Sequence, residues 1–248
     1  MEDMGGRGKR SGRMPERGTD SDVLLVERLS FRYAALKVFD DAGFSLAAGE
    51  VAFLTGPNGA GKSTLLRCLA GWEPADEGSF AVCGKTFDGT DRALRALVAY
   101  VPDAPAFYDD LTADEHVRFV MRANRVPAGD GRAARLMESF GLADRGGLYP
   151  SSYSRGMRQK LALVLALAMR PRLLLLDEPY GPLDPVASAV LSRLVAAACA
   201  EGAAAVISCH HDVPELEPDL LLHLEDGRLS AVRAEDASAP FAWAGKRG

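Results

Sequence analysis

Three short stretches of this chain are apolar almost without interruption: VAFLT at 51–55, LLLLD at 173–177 and AAVIS at 204–208. Each is short and ends on a polar residue. That is the pattern of a strand covered on both faces, as in a parallel sheet, rather than the alternation of a half-exposed one. Between them the pattern turns helical. Residues 112–124 predict a helix with Thr112 as N-cap and Glu115 completing a capping box. Residues 130–140 predict another, stopped by Gly141. A long helix over 154–169 ends before Pro171, and an Ala-rich one over 186–200 closes at Gly202. Upstream, 23–33 reads as a strand leading into a loop, and FSLAAGEVAFLTG as two strands around a Gly-Glu turn. LLLHLEDGRLSAV near the end reads as a hairpin, and 92–98 fits neither period.

Apolar strands alternating with helices imply an α/β fold with a mostly parallel sheet. The stretch 104–158 carries helices and no strand, which implies a helical insertion. Residues 1–21 are rich in Gly, Arg and Asp, lack a hydrophobic signal segment and read as disordered, and 235–248 as a flexible tail. The domain proper is then 22–234, with a helical subdomain at about 104–160.

Composition changes the picture only by exclusion. At 48% hydrophobic and 25% charged residues the chain is ordinary for a soluble globular protein. A net charge of -5 argues against a dedicated nucleic-acid binder. The longest apolar run, 161–169, is half of what a membrane-spanning helix needs. Cys68, Cys83, Cys199 and Cys209 form no C-x-x-C pair and read as free thiols.

Chemistry enters at GPNGAGKST, 56–64, which matches G-x-x-x-x-G-K-[ST] between a strand and the helical STLLRCLAG. Glycines there allow positive φ, so that backbone N–H groups of Gly56, Pro57–Gly61 and their neighbours turn inward around a phosphate, Pro57 itself having no N–H to give. The helix start adds its partial positive charge. Asn58, Gly59 and Ala60 complete the loop. Lys62 reaches the β- and γ-phosphates, the Ser63 hydroxyl suits Mg²⁺, and Thr64 supports the α-phosphate. The motif alone says nucleoside triphosphate and does not separate ATPase, GTPase or kinase.

LLLLDEP supplies the second half of the chemistry. Asp177 at the strand end suits the Mg²⁺ shell. Glu178, facing the other way along the strand, is placed to orient or deprotonate a water attacking the γ-phosphate. Adjacent Asp and Glu argue for hydrolysis over transfer to an acceptor hydroxyl.

With these residues in order the chain resembles the ATP-binding-cassette (ABC) family, and within it the detached ATPase subunit of an ABC transporter, over about 23–232. YSRGMRQK, 153–160, is similar to the family's L-S-G-G-Q signature, keeping Ser154 and Gly156 but carrying Tyr153, Arg155 and Met157. Ser154 can cap the helix and offer its hydroxyl to a phosphate, and Gly156 lets backbone approach. YVPDAPAFYDDLTADEH resembles the family's Q-loop, with Asp103 where glutamine is usual; a carboxylate only accepts hydrogen bonds, and it can still reach Mg²⁺ through water. Tyr33 lies where the family stacks an aromatic on adenine, and GPLDP resembles its D-loop, placing Asp184 near Glu178 across a dimer. The resemblance implies an antiparallel β subdomain beside the core. It implies ATP and Mg²⁺ as ligands, and head-to-tail closure of two cassettes as a homodimer or a heterodimer. It implies a separate polytopic membrane permease and a place on the cytoplasmic face of the cell membrane. YDDLT with YSRGMRQK resembles exporter ATPases more than importers. A non-transport cassette acting as a soluble nucleotide-driven switch shares every motif, and a P-loop kinase is the enzymatic alternative.

ISCHHD, 207–212, holds four metal-ligand types in a row. Along an extended strand Cys209 and His211 face one way and His210 and Asp212 the other, and two ligands per face fall short of what zinc requires. The resemblance offers a switch histidine bonded to the γ-phosphate instead. The register upstream, from Gly202 through Ser208-Cys209, selects His210; the register downstream, from Glu215 and Glu217, selects His211. The strand side carries more weight and favours His210, beside Glu178 and Lys62, as the third catalytic residue.

Overall fold

The computed structural model describes residues 22–126, 131–210 and 213–237. The N-terminal segment 1–21, most of the tail, and His211 and Asp212 lie outside them.

In chain order the strands and helices are β1 (Asp22–Tyr33), β2 (Leu36–Ala47), β3 (Val51–Thr55), α1 (Lys62–Leu69), β4 (Glu77–Val82) and β5 (Lys85–Thr86). Then follow α2 (Arg92–Arg95), β6 (Val98–Val101), α3 (Ala113–Ala123), α4 (Arg132–Ser139), α5 (Arg155–Ala168) and β7 (Leu173–Asp177). The chain closes with α6 (Pro185–Ala200), β8 (Ala204–Ser208), β9 (Leu220–Glu225) and β10 (Arg228–Arg233). Two sheets result. An antiparallel one runs β2-β1-β4-β5, and a larger one runs β10-β9-β3-β8-β7-β6, parallel except for the β9–β10 hairpin.

The three apolar stretches are the three adjacent strands at the centre of the larger sheet, β3, β8 and β7. Their side chains alternate between two cores, which is why every position is apolar. Ala52, Leu54, Leu173, Leu175, Ala204 and Val206 pack with α1 and with the antiparallel sheet. Val51, Phe53, Leu174, Leu176, Ala205 and Ile207 pack with α5, α6 and the helical layer. A leucine fully buried in such a strand stabilises by roughly 1.5–3 kcal/mol over an exposed one.

The elements depart from the pattern in instructive places. β2 begins well before FSLAAG, because the charges that break the apolar pattern are partnered locally. Asp40 accepts hydrogen bonds from Lys37 Nζ at 2.6 Å and Ser30 Oγ at 3.1 Å. Asp41 takes a positive φ where the β1–β2 register shifts. Residues 77–86 form β4 and β5, strands that no apolar run announces. The ambiguous 92–98 holds a helix and the start of a strand back to back. Asp91 Oδ1 caps α2 by accepting from Ala93 N–H at 2.7 Å, and β6 follows three residues after α2 ends.

In the helical layer the Thr112–Glu115 capping box is present in both directions, a device worth about 1 kcal/mol. His116 is buried beneath it. Its Nδ1–H donates to the Thr112 carbonyl at 2.9 Å and its Nε2 accepts from the Tyr108 N–H at 3.0 Å. Those partners fix the roles of the two ring nitrogens, since a carbonyl can only accept and an N–H only donate.

Candidate functional site

Register brings the chemistry together. Ser208 of β8 lies opposite Leu54 of β3 on one side and Asp177 of β7 on the other, and Leu176 lies opposite Val101 of β6. Four parallel strands therefore end level. The loops that follow, at 56, 102, 178 and 209, leave from the same carboxyl edge, where open α/β sheets bind ligands.

The loop after β3 is held by contacts that admit only glycine at two positions. Gly56 has φ 141°, and a Cβ there would run into the Leu224 carbonyl oxygen; at Gly61, φ 105°, it would strike the Val38 side chain. Lys62 opens α1 and folds back over the loop, its Nζ donating to the carbonyls of Gly56 at 2.9 Å and Pro57 at 3.1 Å. The ammonium is buried and has no ion-pair partner among the described residues. Burial pushes its pKa below the ordinary lysine value, while Glu178 and Asp177 pull it back up. The α1 N-terminus has Gly61 as N-cap, with no side chain capping it. A buried unpaired cation, an uncapped helix start and a glycine loop form a donor set suited to a polyphosphate.

Asp177 is buried at the end of β7. Its Oδ1 accepts from Ser208 Oγ at 2.7 Å and its Oδ2 from the Tyr100 hydroxyl at 3.4 Å. It has no cationic partner within salt-bridge distance among the described residues. Asp177, Ser63 and Asp103 line one cavity of about 720 Å³, so the three residues assigned to Mg²⁺ border a common space. A buried carboxylate held by two neutral hydroxyls, with a serine hydroxyl beside it, fits a hard divalent cation.

Glu178 departs from the sequence expectation. It does not continue the alternation of β7 but sits one residue past its end, in the left-handed region at φ 46°. Its N–H donates to Ser208 Oγ at 2.8 Å, and its Oε1 lies 2.7 Å from His210 Nε2. ISCHHD does not continue as an extended strand either: β8 ends at Ser208 and His210 lies in a bend. His210 is placed against Glu178; His211 is outside the described residues. Cys209 is buried, and burial pushes its thiol up to about 12.

The signature segment opens α5. Ser154 caps α5, its Oγ accepting from the Met157 N–H at 3.2 Å. Gly156 is required by contact within the chain, since a Cβ there would meet the Pro182 carbonyl oxygen at 2.7 Å. Asp184 caps α6 through the Ala187 N–H at 2.8 Å and pairs with Lys160 Nζ at 2.9 Å. Those contacts hold its carboxyl below the usual range. Two of the residues that depart from the family pattern meet each other: Asp103 Oδ1 accepts from Arg155 Nη2 at 2.8 Å. Tyr33 is 44% exposed, its ring set edge-on to Phe31. Its hydroxyl accepts from Arg67 Nη2 at 3.2 Å, the same nitrogen that donates to Thr64 Oγ1.

Sequence reasoning passed over Ser208, Tyr100 and Gln159. Gln159, one residue before Lys160, is fully buried with neither amide atom hydrogen-bonded among the described residues. A serine closing an apolar strand is the signal for Ser208, and nothing in the sequence says what it touches.

The model of the ABC transporter family matches residues 39–181, from β2 through both phosphate-site motifs and the signature. The chain belongs to that family. The cassette is 35% identical over 235 residues to the sulfate/thiosulfate import ATP-binding protein CysA of Bordetella bronchiseptica, covering 88% of this chain and 65% of that protein. It thus spans about two thirds of the length of such relatives. The ABC-type transporter ATP-binding protein EcsA of Bacillus subtilis is 32% identical over 214 residues, with 84% of this chain and 86% of that protein covered. A solved ATP binding subunit of an ABC transporter superposes with a TM-score of 0.82 at 32% identity, covering 86% of this chain and 91% of the other. A nucleotide-free cassette from an ABC transporter, at 21% identity and a TM-score of 0.72 over the same shares, repeats the fold. The antiparallel sheet beside a mostly parallel one is therefore the cassette architecture. The family match stops before Asp184, Ser208 and His210, so their places rest on geometry.

Proposed function

We propose that this chain is the ATP-binding and ATP-hydrolysing subunit of an ABC transporter. In this reading it drives a separate polytopic membrane permease through head-to-tail closure of two cassettes, as a homodimer or with a related partner. The observation that carries the reading is the convergence of Lys62, Asp177, Glu178 and His210 on one sheet edge.

Each residue has a task that its surroundings support. Backbone N–H groups of 58–64 and the Lys62 ammonium hold the β- and γ-phosphates, and Thr64 supports the α-phosphate. Tyr33 offers a half-exposed ring for the adenine. Ser63 and Asp177 would hold Mg²⁺, with Asp103 within reach through water; when bound, the ion neutralises charge on the phosphate oxygens. Glu178 takes a proton from the attacking water, and His210 orients Glu178 and the γ-phosphate. In the closed dimer Ser154 and Gly156 face the other cassette's γ-phosphate, with Asp184 beside Glu178 of the other subunit. Exposed Tyr108 and Phe119, stacked edge to face on the helical layer, provide an aromatic surface for the permease. No helix among the described residues is long and apolar enough to cross a membrane, so a place at the cytoplasmic membrane face comes through that partner.

On direction, the variant signature resembles exporters, whereas CysA relatives are named for import. The names give import the broader support, and EcsA's name gives none to either. The test is purification from membranes followed by assay of ATP hydrolysis and of transport in inverted vesicles. Co-purification with a polytopic protein and phosphate release support the reading. A soluble stoichiometric partner with no membrane protein overturns transport, and phosphorylation of an acceptor overturns hydrolysis.

His210→Ala is expected to lower turnover by about 10²-fold, since its ring lies within reach of Glu178 and can act through it, while His211→Ala is expected to leave turnover within a few fold. Steady-state ATPase assays of both variants check this; the reverse order would assign the role to His211.

A further inference from the structure

We infer that Ser208 is a positioning residue for hydrolysis, holding the metal-binding carboxylate and the water-activating residue in one fixed relation. The inference rests on the ATPase reading proposed above and deepens it.

Three observations carry it. Ser208 is fully buried, so its hydroxyl has no access to bulk water. The hydroxyl is used in both directions, accepting from the Glu178 N–H at 2.8 Å and donating to Asp177 Oδ1 at 2.7 Å. The hydroxyl sits on β8, the strand between the one that carries Lys62's loop and the one that carries Asp177, and two residues before His210. One side chain therefore links the end of β7, the left-handed residue after it and the histidine loop. Asp177 Oδ1 is spoken for by Ser208, which directs Oδ2, with its longer 3.4 Å contact to Tyr100, toward any ligand. The bond to the Glu178 N–H tethers the backbone that aims the Glu178 carboxylate. An alanine at 208 takes the acceptor from the part-buried Glu178 N–H and the donor from the buried Asp177 Oδ1.

The test is Ser208→Ala in the full chain, with Lys62→Ala and Glu178→Gln alongside. Residues that orient a metal ligand from behind cost about 10–100-fold in activity or metal affinity when removed. Ser208→Ala is expected to lower kcat in that range with KM within about threefold, and to lower the Mg²⁺ affinity of the ATP-bound protein, read from nucleotide-fluorescence titrations at graded Mg²⁺ rather than from turnover. Combined with Glu178→Gln the serine change is expected to add far less to the kcat loss than it costs alone. Unchanged kcat and unchanged Mg²⁺ titration overturn the proposal, as does full additivity with Glu178→Gln. A thermal melt confirms folding. If the alanine variant does not fold, Ser208→Cys, which fills the space with a weak hydrogen-bonding group, carries the same expectations. If Lys62→Ala and Glu178→Gln leave binding and turnover untouched, the ATPase reading fails; if they act and Ser208→Ala does not, only the serine inference fails.

Discussion

Glu178→Gln will bind ATP and hydrolyse it about 10²–10⁴-fold more slowly. The carboxamide has the size of the carboxylate and keeps an oxygen for His210 Nε2, now 2.7 Å from Oε1. The Ser208 bond runs to the Glu178 backbone and is indifferent to the side chain. What disappears is the capacity to accept a proton from water. The loss therefore falls on kcat, with ATP affinity retained, and the variant accumulates in its ATP-bound form. Single-turnover hydrolysis together with equilibrium ATP binding measures both halves. Near-normal turnover in the purified variant would remove Glu178 from the mechanism.

Lys62→Ala has the opposite signature, a loss of binding. The ammonium points back over the loop, and its partners are two carbonyls. Charge-assisted hydrogen bonds are worth roughly 1.5–3 kcal/mol each, so losing two of them to phosphate oxygens costs at least about 10²-fold in affinity. The ligand-free protein responds differently. Burial lowers the pKa of Lys62, so the unfolded chain holds that proton more tightly than the folded one, and folding gains stability as pH rises from the folded toward the unfolded pKa. Removing the ammonium removes that handicap. The expected pair of results is weak ATP binding by calorimetry and a thermal melt, in the absence of nucleotide, no lower than that of the parent near neutral pH. Unchanged nucleotide affinity would contradict the assignment of the loop.

How much was legible in the sequence follows from range. The central strands could be read because burial on two faces leaves an unbroken apolar run, and the Thr112–Glu115 cap because both partners lie within one turn. The start of β2 could not, since Asp40 and Asp41 look like a break until Lys37 and Ser30 are seen to partner Asp40. The phosphate loop was legible because its chemistry is contiguous. The pairing of Asp103 with Arg155 spans 52 residues and emerges only when the helical layer folds back onto the edge of β6. Each residue read alone is a departure from the family pattern; together they are a matched pair. His210 is favoured on strand register, and its contact with Glu178 is one that register does not specify.

The backbone of Glu178 carries a further meaning. A non-glycine residue at φ 46° is held at a cost of about 1–2 kcal/mol. A chain selected only to fold would put glycine or asparagine one residue beyond β7. Retaining glutamate there trades resilience for reactivity, and the trade has a practical side. Engineering aimed at a hardier protein by relief of backbone tension would be drawn to this very position, and its most successful product would be a durable cassette that no longer turns over.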